Sequence, residues 1–101
     1  MRMLMYITIP HEPFNSLVRD GTVGEKIGAI LEDAQPEAVY FTERDGLRSA
    51  VLVVNLDSPS QIPKLAEPWF LTFEADAEMR IAMTPEDLQS SGLDDLGKRW
   101  G

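Results

Sequence analysis

The chain contains no cysteine. That excludes disulfides, thiolate metal sites, iron–sulfur clusters and cysteine nucleophiles together. It contains a single histidine, His11, so no site built on two imidazoles can form, including the usual zinc and facial-triad iron arrangements. Positive charge is scarce as well: 9 Lys and Arg stand against 17 Asp and Glu, for a net charge of −8. An acidic shell repels phosphate backbones and anionic headgroups, which argues against nucleic acid and membrane surfaces as partners. Long apolar runs are missing too. Met3 to Ile9 stops at Pro10-His11-Glu12-Pro13, too short to span a bilayer and followed by no small-residue cleavage site, so the expected location is cytoplasmic. No Gly-x-Ser-x-Gly elbow is present, and Gly21, Gly24 and Gly28 fit neither a dinucleotide nor a Walker loop. A helix break with room for close packing is their expected role. Nothing resembles a calcium loop, and no metal or cofactor is expected.

What is present is enough for one domain, residues 1–101, with a modest core. The acidity is spread along the chain. The first fifty residues carry 5 basic and 8 acidic groups and the remainder 4 and 9, which reads as a solubilising surface rather than a tail. Met3 to Ile9 alternates as a strand, with Met3, Met5, Ile7 and Ile9 on one face. A short helix is expected from Pro13 to about Arg19, presenting Phe14, Leu17 and Val18. Thr22-Val23-Gly24-Glu25 fits a capping box. Val23, Ile27, Ile30, Leu31 and Ala34 then form the stripe of a second helix, which ends before Pro36. Ala38 to Glu43 and about Leu47 to Leu56 read as strands joined at Arg44-Asp45-Gly46, a hairpin signal.

A further helix carries Ile62, Leu65, Ala66, Trp69, Phe70 and Phe73 on one stripe, with Ser60 as its expected cap. Pro63 falls in its first turn, whereas Pro68 predicts a kink or break. Ala77 to Met83 is the fourth strand. Thr84-Pro85-Glu86-Asp87 starts a short helix. A last segment spaces Leu93, Leu96 and Trp100 at i, i+3 and i+7, with Asp94/Lys98 and Asp95/Arg99 as pairs.

The order is therefore β-α-β-β-α-β plus a helical tail. This predicts an α+β, ferredoxin-like fold with a four-stranded antiparallel sheet. An open α/β sandwich with another strand order is the competing arrangement. Strands one and three are apolar on both faces, as central strands should be. Glu43, Glu78 and Arg80 mark strands two and four as edges. Helices of a two-layer fold cover one sheet face only. The second face would expose Leu, Val or Met side chains, so something should cover it. The expected cover is a second copy, making a homodimer through the open sheet face; the alternative is the C-terminal segment folding back.

The layout, with the strings Pro36-Glu37-Ala38-Val39-Tyr40-Phe41, Asp45-Gly46-Leu47-Arg48 and Ala66-Glu67-Pro68-Trp69-Phe70-Leu71, resembles the dimeric α/β-barrel superfamily and small uncharacterised bacterial proteins within it. The resemblance implies a homodimer, often with a cavity near the sheet. Members of that superfamily include cofactor-independent monooxygenases, lactone isomerases, haem-handling enzymes and ligand-sensing domains, and fold alone does not choose among them.

Few residues stand out as chemical candidates. His11, just past the first strand, is the candidate general base or haem ligand, against an exposed turn residue. Tyr6 and Tyr40 occupy strand positions where a hydroxyl could line a pocket, against packed aromatics with one hydrogen bond each. Arg48 and Arg80 could clamp an anionic ligand, against pairing with Glu43 and Glu78. Glu67 and Trp69 flank Pro68, where irregular backbone sometimes marks a site, against Trp69 filling the core. The leading functional reading is a homodimeric domain that binds a small molecule or a protein without catalysis. The alternatives are a cofactor-independent enzyme of monooxygenase or isomerase type, which requires an enclosed apolar pocket, and a structural protein with no ligand.

Overall fold

The alternation at the start of the chain becomes the centre of the structure. In β1 (Arg2–Ile9), Met3, Met5, Ile7 and Ile9 are buried, while Leu4, Tyr6 and Thr8 face the other way. The computed structural model describes Met1 to Gly101. After β1 come α1 (His11–Arg19), α2 (Val23–Ala34), β2 (Ala38–Arg44), β3 (Leu47–Asn55), α3 (Ile62–Phe73) and β4 (Asp76–Ile81). Two further helices follow, α4 (Pro85–Gln89) and α5 (Leu93–Trp100). The strands form one sheet in the order β2-β3-β1-β4, with every neighbouring pair antiparallel. This is the ferredoxin-like arrangement, and the strand order excludes the alternative sandwich.

Helices α1 to α3 lie on one face of the sheet. Phe14, Ile30, Leu65, Trp69 and Phe73 pack there onto Met3, Met5, Ile7, Ala50, Leu52 and Val54. The aromatic centre is tight: Phe14 and Phe73 have ring centroids 5.2 Å apart, and Trp69 and Phe73 6.0 Å. Asp45 and Gly46 both take positive φ, 53° and 80°, as the two-residue hairpin between β2 and β3 requires.

Several local expectations are corrected. Pro68 does not break α3, which runs on through it to Phe73. The missing hydrogen bond falls at the carbonyl of Lys64, on an exposed turn where water can serve it. Ser58, not Ser60, is the cap before α3. Its hydroxyl accepts from Ser60 N, and Gln61 Oε1 accepts from the Asp57 and Ser58 amides around a short 3-10 turn, Pro59–Gln61. Thr22 makes no capping box either. Asp20 takes its place, accepting from the Thr22 amide at 3.0 Å and from the Thr22 hydroxyl at 2.6 Å. β4 ends at Ile81 instead of Met83.

Gly24 and Gly28 are not sites of close packing, because a Cβ at either would meet nothing within 4 Å. Both lie inside α2, where glycine costs backbone entropy without return. Gly28→Ala is therefore expected to stabilise the fold by about 0.5–1 kcal/mol. The check is a higher urea midpoint at an unchanged slope.

The C-terminal helices leave this body. Every residue from Pro85 onward is exposed. The Cα radius of gyration is 17.2 Å and the longest extent 60 Å, whereas a compact chain of this length has a radius near 13 Å. The segment does not fold back over its own sheet. Neither Asp94/Lys98 nor Asp95/Arg99 closes to an ion pair.

Candidate functional site: the uncovered sheet face

The pairing register lays out the face that no helix covers, row by row. Ala38, Val53, Leu4 and Arg80 stand side by side across the four strands. Tyr40, Val51, Tyr6 and Glu78 form the next row, and Thr42, Ser49, Thr8 and Asp76 the one after. The middle of the face is thus aliphatic and aromatic. Charged groups close both ends.

At one end Glu37 accepts from Arg2 Nε, at 3.0 Å to Oε2, and from the Asn55 amide. Those two hydrogen bonds, Arg2's first, hold the Glu37 carboxyl below its ordinary range. Near the other end Arg44 Nη1 reaches Glu78 Oε1 at 3.5 Å. These two residues sit on opposite edge strands and two rows apart. On a flat sheet that separation is about 19 Å, more than an arginine and a glutamate can bridge. The sheet is therefore twisted so that these two diagonal corners approach. Arg80 adds to the same cluster. Its Nη2 donates to Glu78 Oε2 at 3.1 Å, and its guanidinium lies 5.3 Å from the Tyr6 ring centroid.

The structure brings three of the candidate residues together here: Tyr6, Tyr40 and Arg80. Neither tyrosine hydroxyl has a hydrogen-bond partner, contrary to the packed-aromatic expectation, and Tyr40 is 68% exposed. The others lie elsewhere. Arg48 is on the helix-covered side and does not pair with Glu43, its cross-strand neighbour. Its Nη1 donates to Asn15 Oδ1 at 2.7 Å and its guanidinium covers the Phe14 ring at 4.4 Å. Glu43 instead accepts from the Gly46 amide at 2.9 Å, inside the hairpin. Trp69 is fully buried in the core, and Glu67 is exposed on the same helix, α3. His11 is an exposed residue on the first turn of α1, beyond the end of β1.

Two residues of this face carry no sequence signal. Arg44 was read only as part of a turn, and its reach across the face depends on sheet twist. Ser49 is buried, and its hydroxyl donates to the Ile7 carbonyl at 2.8 Å, tying β3 to β1.

Elsewhere the titrating groups with a resolved shift are helix-end carboxyls. Glu12 is lowered chiefly by the Ser16 hydroxyl, Asp20 by the Thr22 hydroxyl, and Asp87 by the Thr84 amide. These are caps and turns, not reacting groups. No three histidine or acidic side chains converge as a cation site needs. No helix is long and apolar enough to cross a membrane. The two concavities of the surface are a notch of about 490 Å³ between α4 and α5 and a dimple of about 80 Å³ beside Asn55 and Lys64. Neither is lined by His11 or a tyrosine.

No protein-family model matches the chain, and no curated protein matches it. Among solved structures it is similar to the de novo designed protein Ferredog-Diesel, with 13% identity and a TM-score of 0.41. That alignment covers 79% of this chain and 83% of the designed one. The fold assignment stands on element order and strand order.

Proposed function

We propose that the chain is a homodimeric binding domain of the dimeric α/β-barrel kind, working without catalysis. Two copies pack their uncovered sheet faces together, and a small ligand sits between the two faces. One observation carries this reading. The face has an apolar centre (Leu4, Val51, Val53, Tyr6 and Tyr40) closed at its ends by charged groups, which is the anatomy of a protein interface rather than of a solvated surface.

The ligand chemistry follows from the polar groups of this face. Tyr6 and Tyr40 have unpartnered hydroxyls, and Arg80 and Arg44 share a single carboxylate, Glu78, which leaves one positive charge over. A small organic anion with a flat or apolar body suits that set, its charge on the arginines and its body on Tyr6 and Val51. Catalysis has less support, because His11 and the tyrosines do not share a pocket. Sedimentation velocity at micromolar concentration tests the assembly, and thermal shift against a panel of small carboxylates tests the ligand. A dimer whose melting temperature rises with one of the carboxylates is the expected result. A monomer at all concentrations overturns the assembly, and a dimer that no panel member stabilises favours the purely structural reading.

A further inference from the structure

Two guanidiniums on the uncovered face have one carboxylate between them. Arg44 Nη1 lies 3.5 Å from Glu78 Oε1, and Arg80 Nη2 donates to Glu78 Oε2 at 3.1 Å. Each carboxylate oxygen therefore faces a different arginine, and Glu78 bridges the pair. No other acidic side chain forms an ion pair with either. The remaining N–H groups of both guanidiniums have no acceptor within the chain, so their capacity for hydrogen bonding is largely unspent.

The bridge spans the sheet. Arg44 belongs to edge strand β2 and Glu78 to edge strand β4, and in the pairing register the line between them passes over Ser49 of β3 and Thr8 of β1. Ser49 is only 5% exposed, although no helix lies on that side. Its hydroxyl is spent on the Ile7 carbonyl, but the hydroxyls of Thr8 and Thr42 on either side of it have no partner. The Tyr6 ring stands beside the cluster, 5.3 Å from the Arg80 guanidinium. Two cations, hydroxyl donors beneath them and an aromatic flank suit a carboxylate. In the chain as it folds, a carboxylate is already there.

We infer that Glu78 holds this site shut from within: its carboxylate stands where a ligand's carboxylate binds, and the ligand enters by exchange. The exchange is balanced, because one carboxylate replaces another between the same two cations. Glu78 is half exposed, its side chain at 47%, so once displaced it returns to water instead of being buried. A tethered group competes at an effective concentration of about millimolar or more. A bare anion is held off by that competition, whereas a carboxylate whose flat body also lies on Tyr6 and Val51 overcomes it. The Glu78 contact is thus an autoinhibitory threshold on the site. The inference rests on the ligand reading above and gives it a residue that opposes binding.

Benzoate is the probe, titrated into the chain and followed by backbone amide NMR shifts, which are expected at Thr8, Thr42 and Ser49. Glu78→Gln removes the competitor and should tighten benzoate about 5-fold, the scale on which an exposed ion pair acts. Asp76→Asn is the control. Asp76 lies on the same face and strand but forms no ion pair, so its loss removes the same charge without freeing an arginine. It should change the affinity by less than about 2-fold. Adding Arg44→Gln to Glu78→Gln should cancel the gain. Equal affinities for Glu78→Gln and Asp76→Asn would reduce the effect to general charge and overturn the exchange. So would a double variant that binds as tightly as Glu78→Gln, or a Glu78→Gln chain that does not bind benzoate. In each of those cases, a dimer in sedimentation velocity on the same samples leaves the homodimer reading standing. A monomer that shows the gain keeps the exchange and overturns the assembly.

Discussion

On the homodimer proposal, Val53→Glu is expected to yield a folded chain that does not dimerise. Val53 sits in the central strand β3, flanked by Ala38 and Leu4, in the apolar middle of the uncovered face. It does not belong to the core beneath, where Val54 and Leu52 point, so the fold should survive. In a face-to-face pair, a two-fold axis brings two such carboxylates into one dry interface, where each loses its hydration and gains no cation. Burying an unpaired charge in an interface is severe, and an increase of about 100-fold or more in the dissociation constant is expected. The control is Leu71→Glu. Leu71 is 78% exposed on α3, on the opposite side of the molecule, so it carries the same charge change without touching the sheet face. If Val53→Glu and Leu71→Glu sediment alike as dimers, the sheet face is not the interface.

The largest effect on stability is expected at Trp69. Its ring is fully buried against Phe73, and truncation to alanine removes the centre of the helix layer. Trp69→Ala should cost about 3–5 kcal/mol, a large part of the about 5–15 kcal/mol that holds a domain of this size. Trp69→Phe should behave differently. The indole Nε1 is buried with no hydrogen-bond partner, and such an orphan donor costs about 1–3 kcal/mol. Phenylalanine loses packing volume but also removes that donor, so a net change within about 1.5 kcal/mol is expected. Urea unfolding of the three proteins decides. Equal losses for both variants would mean that the indole N–H is served by a bound water or another acceptor.

Much of the fold could be read from the chain because its determinants are local and periodic. The alternation of Met3, Met5, Ile7 and Ile9, and the stripe from Ile62 to Phe73, each specify a face without knowledge of any neighbour. The two-sided apolarity of β1 and β3 correctly placed them at the centre of the sheet. What failed were choices between nearby partners. Arg48 and Glu43 are opposite one another, yet the hairpin takes the glutamate and the aromatic end of α1 takes the arginine. Thr22 has the sequence of a cap, but Asp20 two residues earlier holds the stronger acceptor. The Arg44–Glu78 pair was less legible still. It depends on sheet twist, which brings the two residues together across the intervening strands and is written in no single segment.

The exposed edge at β2 has one more consequence. Ala38 to Thr42 is an uncharged run of strand-forming residues with one side of its backbone unpaired, the kind of template on which identical chains stack into fibrils. Glu37 before it, and Glu43 and Arg44 after it, act as gatekeepers. Like charges at these positions disfavour the addition of copies strand to strand. The acidity of this chain is therefore more than a means of staying dissolved: near its isoelectric point of about 4.4 copies lose their net repulsion, and this edge is the expected starting point of strand-to-strand association.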